Sequence, residues 1–495
     1  MTNKPATVQE IGEVMKAAQE AFEGYRKTTP AERANLLEAI SKEIDALGDT
    51  LILKASEETR LPVPRLTGER ARTTLQLRAF AGMLREGSWV DASIDTAVPD
   101  RTPLPKPDIR KMVVPLGPVI VFGASNFPFA YSTAGGDTAS ALAAGCPVVV
   151  KAHPAHAETS QMVYEAISKA VGSAMLPQAV FQHVYGDNET GRALLQHPAT
   201  AGAGFTGSYG GGMALVNYAR DRKDPIPVFC EMGSVNPVVI FPDALRVNAG
   251  KLVEQYAESI TQSAGQFCTN PGVLLAVKGP DLDRFVQALS REVGTVQPAR
   301  MLHAGIHRAY REKMEQALQQ PGVVHEEGSM PAGAEEALPR IASVDAATFL
   351  ENRLLQQEVF GPYSIVVRCN DMTQLYTTWT ALKGQITTSL MGTEKDFADY
   401  AGMIHDAAGV AGRIIFNGVP TGVEVCASMV HGGPFPATTD SRFTAVGIQS
   451  VRRWVRPVCY QNCPDTLLPQ ALQNANPLHI LRFVNNAWTR EAVGM

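Results

Sequence analysis

From about Val8 to Gly87, apolar residues recur at three- and four-residue intervals among many charges, the spacing of amphipathic helices. The pattern then breaks. Asp95 to Pro115 is rich in proline and closes on the apolar Lys111-Met112-Val113-Val114, which predicts an extended arm rather than part of a core. Beyond it, short apolar runs alternate with helical ones. Strands are predicted at Val119–Gly123, Pro147–Lys151 and Val180–Tyr185, and helices at Thr133–Ala144, Glu158–Val171 and Thr190–Gln196. A second series starts at Pro237-Val238-Val239-Ile240 and takes in Gly272–Val277, Tyr363–Val367 and Arg413–Asn417. Strands alternating with helices in this way predict an α/β fold with parallel sheets covered by helices. The sequence shows no internal repeat and no low-complexity segment.

Composition narrows the class. At 495 residues the chain exceeds one ordinary hydrophobic core, so two or more domains are expected. Hydrophobic content of 45% and charged content of 19% describe a globular protein rather than a disordered one. A net charge of −5 with scattered basic residues argues against a nucleic-acid partner. The N-terminus, Met1-Thr2-Asn3-Lys4-Pro5, lacks an apolar signal core. The most apolar stretches, Val113–Ala124 and Ala139–Val150, are broken by Pro and Gly and are too short to span a bilayer. Seven cysteines, an odd number in a long chain, suit free thiols in a reducing cytoplasm. Cys459 and Cys463 form the one close pair, but no second Cys/His pair accompanies them. His303 and His307 share a helix face without an acidic third ligand, so no metal is expected.

Chemistry concentrates in five motifs. They are Asn126-Phe127-Pro128, the run Phe205-Thr206-Gly207-Ser208-Tyr209-Gly210-Gly211-Gly212, Glu231-Met232-Gly233, Gly265-Gln266-Phe267-Cys268-Thr269, and Glu358-Val359-Phe360-Gly361-Pro362. The run Gly202-Ala203-Gly204-Phe205-Thr206-Gly207 also matches Gly-x-Gly-x-x-Gly. The preceding Gln196–Thr200 is not a strand, so that match reads as coincidence. The stronger signal is Gly207-Ser208 with Gly212 at a strand-to-helix junction, where free N–H groups and a helix dipole suit a phosphate. In this order, and over nearly the whole chain, the five motifs resemble the NAD(P)-dependent aldehyde dehydrogenase superfamily.

The resemblance implies a Rossmann-like coenzyme domain over residues 1–100 and 117–231 and an α/β catalytic domain over 232–436. Residues 101–116 and 437–495 would form a small β oligomerisation arm and C-terminal segment, with a homodimer or homotetramer as the assembly. It makes Cys268 the nucleophile, Asn126 a donor to the developing oxyanion, and Glu231 the base that activates water against a thioester. Cys230, beside Glu231, is a weaker second thiol, and Cys146 reads as packing. NAD or NADP would lie on Lys151, Gly207, Ser208 and Gly212, with Glu358 at the nicotinamide-side ribose and Phe360 beside the ring. Pro154 stands where many NAD-preferring relatives carry a glutamate, and Arg192 lies in the adenosine-flanking region, so NADP should at least be tolerated. Glu231-Met232-Gly233-Ser234-Val235-Asn236-Pro237 and His431-Gly432-Gly433-Pro434-Phe435-Pro436-Ala437 depart from the commonest family pattern. They look like the subgroup that contains enzymes acting on 2,5-dioxopentanoate and NADP-dependent fatty-aldehyde dehydrogenases, and Asn417-Gly418-Val419-Pro420-Thr421-Gly422-Val423 and Asp440-Ser441-Arg442-Phe443-Thr444-Ala445-Val446-Gly447 resemble the former more closely. A small aldehyde carrying a carboxylate would then meet Arg72, with Phe127, Tyr131 and Phe267 as walls. A coenzyme-independent thiol esterase would use the same Cys268, Asn126 and Glu231.

Overall fold

The structure is a computed structural model that describes residues 4–325, 332–382 and 384–494. Met1, Thr2 and Asn3, read above for a signal core, lie outside the described residues. The helical periodicity of the N-terminal region becomes four helices, Val8–Tyr25, Pro30–Ala46, Gly48–Thr59 and Val63–Glu86. The first two begin at capping boxes, Thr7 with Glu10 and Thr29 with Glu32, where side chain and backbone satisfy each other's free donors. Among the described residues, no helix is long and apolar enough to cross a membrane.

Five short strands follow as one parallel sheet in the spatial order Phe181–Val184, Val148–Lys151, Val119–Phe122, Gly202–Thr206, Val228–Glu231. The chain steps outward in one direction over the first three strands, then returns to the other side of Val119–Phe122. In such sheets the loops at the C-terminal strand ends part where the order reverses, and ligands bind there. Asn126, Ser208 and Glu231 all leave or follow C-terminal ends near this point. Helix Gly136–Ala144 begins later than its composition predicts, because Gly135 and Gly136 turn tightly against Ala130 and Gln76 first. The formal Gly-x-Gly-x-x-Gly run lies inside strand Gly202–Thr206, so its first glycines are sheet positions and not a phosphate loop.

A second sheet of seven strands runs Val324–His325, Arg340–Asp345, Tyr363–Cys369, Val273–Val277, Val238–Ile240, Gln385–Met391, Ala411–Phe416. All its pairs are parallel except the first. The Pro-rich arm and the C-terminal segment meet in a third sheet, ordered Val455–Gln461, Ile109–Pro115, Ser93–Asp95, Arg482–Val484, Ala487–Thr489. The fold is thus α/β with a Rossmann-like parallel sheet, as the strand and helix alternation predicts. One contact ties distant parts together at the site. Residues 437–439 run beside the end of Val228–Glu231, with Met232 N–H donating to the Ala437 carbonyl at 2.8 Å and Glu231 bridged to Thr438.

Candidate active site

Cys268 sits on a turn whose shape is enforced locally. Ser263, Ala264 and Gly265 take left-handed φ angles of 51°, 55° and 62°, ending the helix Pro242–Thr261 in a reversed coil. Only glycine fits at 265, since a Cβ there would lie 2.3 Å from the Gly361 carbonyl carbon. The thiol loop is thereby pressed onto the Glu358-Val359-Phe360-Gly361-Pro362 motif. Asn236 holds it from below, its Nδ2 donating to the carbonyls of Cys268 and Asn270 at 2.9 Å each.

Glu231, ending its strand, is 3% exposed. It reaches the thiol through a residue that sequence reasoning passed over: His431 Nε2 lies 2.9 Å from Glu231 Oε1 and 3.6 Å from Cys268 Sγ. His431 is fully buried, and one ligating atom of each of the three residues falls within 4.8 Å of the others. The only trace of this in the sequence is the unusual His-Gly-Gly-Pro run. A separation of 200 positions from Glu231 hides the pairing from any local pattern. Burial first, then the Glu231 carboxylate, holds the Cys268 thiol well above its ordinary pKa. The resting thiol is therefore protonated, and its neighbours must help it ionise.

Asn126, 8% exposed, donates one amide N–H to the Gln266 carbonyl at 3.1 Å, which orients its side chain beside the thiol loop. The backbone N–H of Cys268 has no hydrogen-bond partner among the described residues. Cys230 is no rival nucleophile: strand alternation turns it away from Glu231, its Sγ meets the Gly212 carbonyl at 3.7 Å, and burial pushes its pKa to about 12. Cys146 is buried against the Trp454 carbonyl, as packing predicts.

A cleft of about 1260 Å³, including its open mouth, runs from Cys268, Glu231 and Asn126 past Gly207, Ser208, Gly211, His153, Glu358 and Phe360. Ser208 caps the helix Tyr209–Arg220, its Oγ accepting from Gly211 N–H at 3.2 Å. Gly211 lines the cleft, whereas Gly212 is turned one helical step inward onto Met232 and Cys230. A Cβ at Gly233 would lie 2.4 Å from Glu358 Oε2, so any side chain there would push this carboxylate aside. Burial pushes the Glu358 carboxyl up to about 7, with Lys313 pulling the other way. Lys151, half-buried at its strand end, lies behind the lining residue His153, and Pro154 is exposed at the start of a short 3₁₀ turn.

The remaining residues divide. Phe127, Tyr131 and Phe267 pack edge to face at 5.3 and 5.7 Å, and Arg72 Nη2 donates to Tyr131 Oη at 3.3 Å. Arg72 is not paired with Glu69, whose carboxylate accepts instead from Phe129 and Ala130 N–H. Arg65, unforeseen, lies over both Phe127 and Phe267 at 4.9 Å and donates to the Asn126 carbonyl. Arg192 is not brought to the cleft. It bonds Gln196, covers the Tyr218 ring and lines a separate depression with the N-terminal residues.

A capped helix start at one end of a cleft and a thiol beside a buried carboxylate at the other suit an oxidoreductase that takes a dinucleotide coenzyme. Residues 1–417 match the aldehyde dehydrogenase family, and the chain belongs to it: it is an enzyme that oxidises aldehydes to acids with NAD(P). It is 48% identical to α-ketoglutaric semialdehyde dehydrogenase 2 of Azospirillum brasilense over 97% of this chain and 91% of that one. Identity is 45% to the α-ketoglutaric semialdehyde dehydrogenase of Acinetobacter baylyi, covering 98% and 92%. Among solved structures, glyceraldehyde-3-phosphate dehydrogenase GapN of Methanocaldococcus jannaschii, complexed with NADP, superposes with a TM-score of 0.78 over 92% of this chain and 95% of that one. Its identity of 18% speaks to the fold alone.

Proposed function

We propose that the enzyme oxidises 2,5-dioxopentanoate (α-ketoglutarate semialdehyde) to 2-oxoglutarate. The relatives' activity supports this, and so does Arg72: a half-buried guanidinium bonded to Tyr131 and over the Phe127 ring, which packs on the Phe267 next to Cys268. A distal carboxylate gives such a cation its partner. Replacing Arg72 by alanine should raise KM for 2,5-dioxopentanoate by about tenfold or more, the worth of a charged hydrogen bond, and leave pentanal oxidation nearly unchanged. Equal losses on both would make Arg72 a support of the fold. A wild-type preference for long aliphatic aldehydes would replace the substrate assignment.

In the chemistry, Cys268 gives up its thiol proton to water in the open cleft and adds to the aldehyde carbon, and Asn126 Nδ2 with the Cys268 N–H receives the oxyanion. Losing one such donor raises a barrier by roughly 3 kcal/mol. A nicotinamide bound beside Phe360 would supply the hydride acceptor for collapse of this adduct. The resulting thioester on Cys268 is hydrolysed by water that Glu231 deprotonates. His431, bonded to Glu231 and against the sulfur, is a positioning residue that keeps base and nucleophile aligned. Gly207, Ser208 and the first turn of Tyr209–Arg220 would hold the pyrophosphate, Lys151 and His153 the adenosine side, Glu358 a ribose and Phe360 the nicotinamide.

NADP should be used appreciably, since Pro154 places no carboxylate against a 2′-phosphate; Arg192 lends no support. A kcat/KM for NADP more than about a thousandfold below that for NAD, measured with one aldehyde, would contradict this. Residues 1–100 and 117–231 would form the coenzyme domain and 232–436 the catalytic domain. The outer strand Val455–Gln461 leaves one edge unpaired in its sheet, a natural place for a second subunit of a homodimer or homotetramer. Seven free thiols accord with a cytoplasmic enzyme.

A further inference from the structure

We infer that Arg413 forms the second jaw of a clamp with Arg72, gripping the 2-oxo acid end of the substrate from the wall opposite. This rests on the substrate reading above and adds a residue that no local motif marks. Arg413 lies in the strand Ala411–Phe416, in register with Thr387 of the neighbouring parallel strand. Paired residues of parallel strands present their side chains on one face of the sheet. Thr387 bonds Asn236 Oδ1 at 2.9 Å, and Asn236 in turn holds the Cys268 carbonyl. Arg413 therefore rises on the face that carries the nucleophile.

Its guanidinium is anchored without being used up. Nη1 donates to the Gly422 carbonyl at 2.9 Å and Nη2 to the Pro420 carbonyl at 2.6 Å. Both acceptors belong to the Asn417–Val423 run that set this chain apart from its commoner relatives. Nε is buried and has no hydrogen-bond partner among the described residues. Arg72 shows the same condition, with one bond to Tyr131 and a buried Nε left over. Burial lowers the Arg413 pKa, and the groups whose charges oppose that are Cys268 and Tyr131, the two residues that frame the reacting carbon and Arg72. Arg65 is committed elsewhere, to Asn126 and the aromatic pair, and Glu69 to two backbone N–H groups. Two half-satisfied guanidiniums, one on the helix Val63–Glu86 and one on the sheet, thus both lie within charge range of Cys268 and Tyr131.

A carboxylate alone needs one fork. A 2-oxo acid offers three oxygens in a plane, enough for donors arriving from both sides. The clamp therefore selects aldehydes ending in a 2-oxo acid over those ending in a simple carboxylate, and both over neutral aldehydes.

The test measures wild type, Arg413→Ala and Arg413→Lys with 2,5-dioxopentanoate, 5-oxopentanoate and pentanal, alongside thermal midpoints. For Arg413→Ala, KM for 2,5-dioxopentanoate should rise about tenfold or more, rise less for 5-oxopentanoate, and stay within about twofold for pentanal. Lysine should restore part of the loss, as a point charge lacking the fork. If all three substrates suffer alike, Arg413 merely braces the Pro420–Gly422 loop and the clamp is wrong. An unchanged KM for 2,5-dioxopentanoate also overturns it. A wild-type enzyme with no preference for the oxo acid over pentanal would sink the substrate reading itself, whereas a preference that survives Arg413→Ala sinks only the clamp.

Discussion

Cys268→Ala is expected to abolish both aldehyde oxidation and ester hydrolysis while leaving coenzyme binding largely intact. The thiol alone can form the covalent bond that turns a neutral aldehyde into a hydride donor. The other six cysteines stand outside this role, Cys146 and Cys230 because they are buried in packing and Cys230 because burial also holds its proton to about pH 12. The residues that line the phosphate end of the cleft belong to a different strand-to-helix junction and do not rest on the thiol. Coenzyme titration by fluorescence quenching should therefore give a dissociation constant close to wild type. Substantial reduced nicotinamide produced from any aldehyde by this variant would remove Cys268 from the mechanism.

Glu231→Gln should separate the two halves of the reaction. The amide keeps the shape of the carboxylate and can still accept from His431 Nε2, so the loop geometry should survive. It cannot take a proton from water, and thioester hydrolysis should become slow. Rapid mixing with saturating aldehyde is expected to show a burst of reduced coenzyme approaching one equivalent per site, then a slow steady rate. Mass spectrometry of the quenched enzyme should find an acyl group on Cys268. The Glu231 carboxylate also raises the Cys268 pKa, so its neutralisation should ease ionisation of the thiol and leave the burst step unimpaired. Turnover near normal with no acyl adduct would point to another base.

His431 lies just before residues 437–439, which run beside the end of the strand Val228–Glu231, so one segment brings it to the base.

Much was legible in the chain order alone. The four N-terminal helices and the alternating strands followed from periodicity, and short motifs resembling the family's singled out Cys268, Glu231 and Asn126, which the structure brings to one cleft. Those features are local: a helix face repeats within four residues, and a strained turn such as 263–265 is written in adjacent positions. Pro154 was likewise readable, because it sits three residues past a recognisable strand. Arg192 shows where local reading fails, since its position on a helix was right but the helix turned it toward Gln196 and Tyr218. His431, Arg65 and Arg413 were invisible for a related reason. Each is placed only when segments far apart in sequence are brought together, putting a histidine 163 residues from the thiol it touches and an arginine in register with Thr387. Sequence pattern determined which groups were made and which chemistry they could carry; tertiary packing decided which of them share the cleft, because contact, burial and the pKa shifts they cause depend on distance in space and not along the chain.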